Sequence, residues 1–203
     1  MEVAPTHKLI SRSRLPAGAV ELARFLIGKI VVRQTPDGVA SGRVVETEAY
    51  PVGDAAGHGF HGETPSNRVL FDEPGHAHVY LAYGVSWMLN VSAEAAGLGA
   101  GVLFRALEPL EGVEIMQRNR GGPIPLRDLA RGPGRLARAL DVDMRLDGLD
   151  LCREGPIWLA DDATPPPEIG VSTRIGLTKE TERPLRFYAR ASRYLSGPKS
   201  LSP

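Results

Sequence analysis

The chain has one cysteine, Cys152, so it can form no internal disulfide and offers no cysteine-based zinc site. A lone thiol suits a reducing compartment, and the cytoplasm is the expected location. No run of 18 apolar residues occurs, so no membrane-spanning helix is expected. No basic segment followed by an apolar stretch opens the chain, so no secretory signal is expected either. Excess charge is also missing: 24 basic and 24 acidic side chains sum to zero. A zero sum alone argues against a polyanionic partner, but the distribution of charge carries more information than its total. From Gln117 to Arg138 there are six arginines against Asp128, and from Arg183 to Pro203 four arginines and one lysine with no acid. From Asp141 to Glu168 eight acids face two arginines. Such a chain can hold a basic binding face while staying neutral, or it can simply carry scattered solvated charge.

What the sequence has in quantity is turn formers, 23 glycines and 17 prolines in 203 residues, which predicts many short elements. Residues 1–14 read as a short mobile lead. Pro16–Gly28 reads as a helix, with proline near its start and glycine at its end. Lys29–Arg33 and Val39–Tyr50 read as strands joined by the turn Thr35-Pro36-Asp37-Gly38. Pro51–Asn67 lacks periodicity and reads as an ordered covering loop. Two further strands meet at Tyr83-Gly84, and Gly101–Leu107 is another strand. Glu108-Pro109 is expected to open a helix to about Arg118, and Arg135–Leu140 a second short one. Pro156–Leu159, Val171–Gly176 and Pro184–Ala189 close the chain as strands. There is no repeat and no composition break, so residues 15–203 are expected to form one α+β domain, mostly antiparallel.

The candidate chemistry centres on Val44–Tyr50. With period 2, Val45, Thr47 and Ala49 face one way and Glu46, Glu48 and Tyr50 the other. Two carboxylates this close repel, which pushes one toward the proton affinity a general base needs. The plainer reading is a strand with a wet polar side. Arg105 lies in an apolar strand and needs a carboxylate partner, for which Glu46 or Glu48 could serve in a catalytic or a purely structural pair. Tyr50, Tyr80 and Tyr83 are three of five tyrosines, and planar faces of this kind grip nucleobases, although they also fill cores. His58, His61, His76 and His78 match no standard zinc spacing. Gly132-Pro133-Gly134 before a helix can turn N–H groups toward a phosphate, or be a turn and nothing more.

Taken in order, Val45-Glu46-Thr47-Glu48-Ala49-Tyr50, Asp54-Ala55-Ala56-Gly57-His58, Thr64-Pro65-Ser66-Asn67-Arg68, Val79-Tyr80-Leu81-Ala82-Tyr83-Gly84, Asn90-Val91-Ser92, Leu103-Phe104-Arg105-Ala106-Leu107-Glu108-Pro109 and Pro184-Leu185-Arg186-Phe187-Tyr188 resemble the alkyladenine (3-methyladenine) DNA glycosylase family. The resemblance implies a single domain with a curved sheet, flanking helices and a protruding β-hairpin. It also implies a monomeric base-excision repair enzyme that acts on duplex DNA containing a damaged purine. Such an enzyme flips out an alkylated or deaminated base and hydrolyses its N-glycosidic bond, with no lyase activity and no cofactor or metal. By motif, Glu48 is the implied general base and Arg105 its partner, with the backbone of Ile175 assisting. Tyr50, His58 and Tyr80 are implied to sandwich the base, Asn90 to reject the guanine amino group, and Tyr83 to fill the gap in the duplex. Arg68, Gly132, Gly134 and Arg135 are the candidate backbone contacts. Ser66 and Gly57 depart from the pattern, Gly57 implying a looser loop and a roomier pocket. A sugar hydrolase using Glu46 and Glu48, and a lesion-binding protein without catalysis, are the alternative readings.

Overall fold

The computed structural model describes residues 7–198 and Ser200. It shows one mostly antiparallel sheet that is not closed, with three helices against it. The strands are β1 (Lys8–Leu9), β2 (Ile30–Thr35), β3 (Gly38–Tyr50), β4 (Ala77–Ala82), β5 (Ser86–Ser92), β6 (Gly101–Glu111), β7 (Ile157–Asp161), β8 (Ile169–Ser172) and β9 (Arg186–Ala189). The helices are α1 (Ala19–Leu26), α2 (Val113–Arg120) and α3 (Pro133–Ala139). The main strand order is β1-β7-β2-β3-β6-β5-β4.

Strand β3 is the hub. Along one edge it pairs with β6 over nearly its whole length. Along the other, Gly38–Arg43 pair with β2 and Glu46–Glu48 pair with β9. The second half of β3 is therefore enclosed by strands on both sides. Helix α1 covers one face. Its buried residues Ala19, Leu22, Ala23 and Leu26 fall at i, i+3, i+4 and i+7, a single apolar stripe. Thr47 donates its hydroxyl proton to the Ala23 carbonyl at 2.9 Å and so ties β3 to the helix. Gly18 lacks a capping side chain, and Glu94 takes the Ala19 N–H instead at 3.2 Å.

Several predicted boundaries move. The stretch read as a lead falls partly outside the described residues, but Lys8–Leu9 pair with β7 at the sheet edge and Arg12–Arg14 form a 3-10 turn. The helix predicted from Glu108-Pro109 does not start there: β6 continues to Glu111. Pro109 is tolerated because it pairs with Gly42 at a register shift, beyond the short stretch where β5 covers the other edge of β6. The helix waits for Gly112, at φ 65°, where any Cβ would stand 2.2 Å from the Val39 carbonyl oxygen. The strand read over Val171–Gly176 is instead Ile169–Ser172. The chain then bends, and that bend matters for the site.

Candidate active site

The pairing of β3 with β6 is irregular where the chemistry lies. Val44 pairs with Leu107, Glu46 with Ala106 and Thr47 with Phe104, so Val45 and Arg105 are skipped on their respective strands. Bulges of this kind re-aim a side chain. Here the bulge turns Arg105 onto the acidic face of β3. Its Nε lies 2.9 Å from Glu46 Oε1 and its Nη1 3.2 Å from Glu48 Oε1. The predicted alternation holds, since both carboxylates share one face. The wet polar side does not, since both are 0% exposed.

The two acids differ in their partners. Glu46 accepts from Arg105 Nε, from Arg186 Nε at 2.7 Å, and from the hydroxyl and N–H of Ser196 at 2.8 and 2.6 Å. Three of these donors meet Oε1 and the Ser196 N–H meets Oε2, so two guanidinium groups and both polar groups of Ser196 hold Glu46. Glu48 Oε1 accepts the Ile175 N–H at 2.8 Å and forms an ion pair with Arg105, and its Oε2 accepts the Tyr50 hydroxyl at 2.9 Å. Among the described residues one lone pair on Glu48 Oε2 has no protein donor. Burial lowers the proton affinity of the Arg105 guanidinium, but the charges of Glu48 and Glu46 outweigh it and the net shift is upward. Burial, followed by the charge of Glu48 and the hydrogen bond to it, pushes the Tyr50 phenol far above its ordinary value, so the hydroxyl stays a donor.

Above Tyr50 opens a cleft of about 340 Å³ lined by Tyr50, Gly57, His58, Tyr80, Tyr83 and Asn90, among others. Its size is at the lower end of the roughly 300–1,000 Å³ usual for small-molecule sites. The His58 and Tyr80 rings meet with centroids 3.9 Å apart, and His78 stacks on Tyr80 at 5.5 Å. His78 Nε2 lies 3.5 Å from His58 Nδ1, and its Nδ1 lies 3.5 Å from Asp147. Burial, and then the neighbouring His78, lower the proton affinity of His58, which favours the neutral ring. Asn90 on β5 gives its amide proton to the His78 carbonyl at 3.3 Å. His61 and His76 are elsewhere, the first against Phe60 and the second against the Glu73 carbonyl. Among the described residues no three His, Cys, Asp or Glu side chains gather as a metal-holding group.

Tyr83 sits at the tip of the β4–β5 hairpin and is 94% exposed. It has φ 51° and Gly84 φ 70°, both left-handed as in a tight primed turn. An aromatic residue held there, pointing into solvent with Val85 beside it, is strained without any packing return. Below the hairpin, Ser86, Arg120, Arg131, Gly132, Gly134 and Arg135 line a second concavity together with Arg138. Four of the six arginines of the first basic run thus converge beside the hairpin. Arg118 instead pairs with Asp37, and Arg127 donates to the Arg193 carbonyl. Among the described residues of the second basic run, Arg183 lies instead on Asp54, Arg186 on Glu46 and Arg190 on Glu168. Arg68 is exposed in a 3-10 turn, Arg68–Phe71, and its charge reaches Asp147.

The sequence profile of the methylpurine-DNA glycosylase family matches residues 14–193. A protein of Mesorhizobium japonicum assigned as a 3-methyladenine DNA glycosylase is 68% identical over 195 residues, spanning 96% of this chain and 93% of its own. Proteins with the same assignment in Paraburkholderia phytofirmans and Methanoculleus marisnigri are 52% and 45% identical, over 94% and 87% of this chain and 89% and 93% of theirs. The chain belongs to the methylpurine-DNA glycosylase family.

Within this glycosylase fold three supports escaped the sequence reading. Asp54 and Arg174, both fully buried, form a two-pronged ion pair at 2.7 and 3.1 Å. Asn67 bonds the carbonyls of His58 and Gly62 and the N–H of Thr64, which staples the loop after β3. Ser196, close to the C-terminus, caps Glu46. The partners of the first and third lie 120 and 150 residues apart, so no local spacing signals them, whereas those of Asn67 lie within nine residues. The loop is also pinned at Gly57, whose N–H reaches the Asp54 carbonyl at 2.9 Å. A Cβ there would stand 3.3 Å from that carbonyl and 3.5 Å from Tyr50 Cβ. Among the described residues no helix is long and apolar enough to cross a membrane.

Proposed function

We propose that this protein, acting as a monomer, removes alkylated or deaminated purines from duplex DNA by flipping the damaged nucleotide into the cleft and hydrolysing its N-glycosidic bond, leaving an abasic site. The observation that carries the reading is Glu48: a carboxylate buried against Tyr50, bound by Arg105 and the Ile175 N–H, with one acceptor position left for a water. Loss of a purine builds positive charge on the sugar, and a carboxylate held in a dry site stabilises that charge while taking a proton from the attacking water. Arg105 and the Ile175 amide keep the carboxylate in one orientation.

Tyr50 on one side and His58 with Tyr80 on the other stack the everted base. A ring made cationic by alkylation binds well to aromatic faces and is already a good leaving group, so little acid assistance is needed. Asn90 rejects the 2-amino group of guanine. Unstacking costs a few kcal/mol. Insertion of Tyr83 between base pairs, and phosphate contacts from Arg68 and from the Gly132-Gly134-Arg135 concavity, offset that cost. Among the described residues no lysine lines the cleft, which supports water as the attacking group and a monofunctional enzyme without a Schiff base.

Duplexes carrying a single lesion test the proposal. Incubation with the protein followed by alkali is expected to give a strand break at the lesion. A mobility shift without alkali-labile sites, at excess protein, would make the protein a lesion binder instead. Release of reducing sugar from glycans, with DNA binding insensitive to salt, would favour the sugar-hydrolase alternative.

A further inference from the structure

We propose that the buried Asp54–Arg174 ion pair is a positioning unit for hydrolysis, holding the Ile175 amide and the Tyr50 hydroxyl, which orient Glu48 together with Arg105. This rests on the reading of Glu48 as the base. Arg174 is the residue immediately before Ile175, whose N–H is 2.8 Å from Glu48 Oε1. Its Nη1 also donates to the Ala49 carbonyl at 3.0 Å, and its guanidinium lies over the Tyr50 ring at 4.6 Å. Tyr50 supplies the other donor, to Glu48 Oε2. One side chain therefore grips the strand between Glu48 and Tyr50, covers the outer face of Tyr50 and anchors the amide that meets the carboxylate.

Asp54 sets the direction of that grip. It occupies both Nη groups of Arg174, and its backbone carbonyl accepts the Gly57 N–H beside the cleft. Arg183 approaches Asp54 from outside at 3.3 Å, and the Glu180 carbonyl takes a further contact from Arg174 Nη2 at 3.4 Å. Among the described residues the charged and titratable groups around the unit are thus Arg174 and Arg183 on Asp54, Glu180 on Arg183, Tyr50 beside Arg174, and Arg105, Tyr50, Tyr80 and, through Arg105, Glu46 around Glu48. A planar fork with two fixed contacts cannot be copied by a single ammonium point charge. A core that needed only a neutralised charge would not need that fork.

Asp54→Asn and Arg174→Lys test the idea, with lesion-duplex affinity, single-turnover excision rate, melting temperature and the pH dependence of the rate all measured. The expected result is an excision rate lower by about 100-fold, the scale for small misplacement of a reacting group, with affinity nearly unchanged. The acidic limb of the rate–pH profile is expected to move to higher pH, because a carboxylate that loses an N–H donor holds its proton more tightly. Adding Asp54→Asn to Glu48→Gln is expected to lower the rate no further, as for groups that act as one unit. Loss of affinity in parallel with rate, an unmoved acidic limb, or full additivity with Glu48→Gln would overturn the proposal, as would failure of both variants to fold. Absence of abasic sites with the unaltered protein would instead sink the glycosylase reading itself, so the two failures are distinguishable.

Discussion

Glu48→Gln isolates the chemistry from the fold because of what surrounds the side chain. Oε1 faces the Ile175 N–H and Arg105, neither of which can accept a proton, so the glutamine oxygen must take that position. The new NH2 then falls where Oε2 was, opposite the Tyr50 hydroxyl. A hydroxyl can rotate to accept, so the exchange leaves no donor facing a donor. Arg105 keeps Glu46 as its carboxylate. The structural cost is therefore that of weakened charged hydrogen bonds, about 1.5–3 kcal/mol, or a fall in melting temperature of about 3–12 °C at about 2–4 °C per kcal/mol for a chain of this size. On the proposed role of Glu48 the expected catalytic cost is that of losing a general base, about 10²–10⁴-fold in rate, with lesion binding retained. Single-turnover excision on a duplex with one hypoxanthine, scored by alkali cleavage, beside a gel-shift titration, measures both. Excision within about tenfold of the unaltered protein, below the range for loss of such a base, would refute Glu48 as the base.

Tyr83→Ala is expected to weaken binding to lesion-bearing duplex more than to the same single strand while leaving melting temperature little changed, since the ring packs on nothing; equal losses on both substrates would contradict insertion. Asn90→Ser is expected to raise excision of guanine-type bases relative to adenine-type, and an unchanged ratio counts against a gate there. Burial pushes the Cys152 thiol up to about 11. At pH 8 about one molecule in a thousand then carries the reactive thiolate. Disulfide-reagent labelling of the folded protein should be slow at pH 8 and accelerate as pH rises toward that value, and rapid stoichiometric labelling at pH 8 would show the site to be open.

Legibility in the sequence followed the range of the interactions. The β3 alternation, the hairpin tip at Tyr83-Gly84 and the covering loop were readable because strand period and turn chemistry are local. The limits of α1 came out short, Ala19–Leu26 within the expected Pro16–Gly28, because the chain before Gly18 is spent on the turn that enters the helix. Pro109 misled because proline in the first turn of a helix and proline on an uncovered strand edge look alike without the neighbouring strand. Arg186 was counted in a surface charge run, yet it is fully buried on Glu46. The pairing of Asp54 with Arg174 spans 120 residues, and nothing near either position announces it. The family resemblance located the cleft residues, but the supports behind them became visible only through tertiary contacts.

The contrast between the two carboxylates makes a one-acid and a two-acid mechanism separable by experiment. A sugar hydrolase of the ordinary kind needs two acids that both reach substrate. Glu46 is held by two guanidinium groups and by Ser196, whereas Glu48 meets one guanidinium and the Tyr50 hydroxyl that faces the cleft, so the proposed reading gives the proton transfer to Glu48 alone. In Glu46→Gln the oxygen must stay toward the guanidiniums, which places the NH2 against the Ser196 N–H, where 2.6 Å now separates nitrogen from oxygen. That is donor against donor, and Ser196 cannot rotate it away. Breaking a buried charge cluster costs about 3–5 kcal/mol, a fall of about 6–20 °C at this chain length. Arg105 Nη1 still reaches Glu48, so excision per folded molecule is expected to persist in Glu46→Gln at temperatures where it folds. The two glutamine variants should thus separate, Glu46→Gln losing mainly stability and Glu48→Gln mainly rate. A Glu46→Gln protein that melts like the unaltered chain yet excises nothing would put both carboxylates in the reaction and overturn the one-base reading.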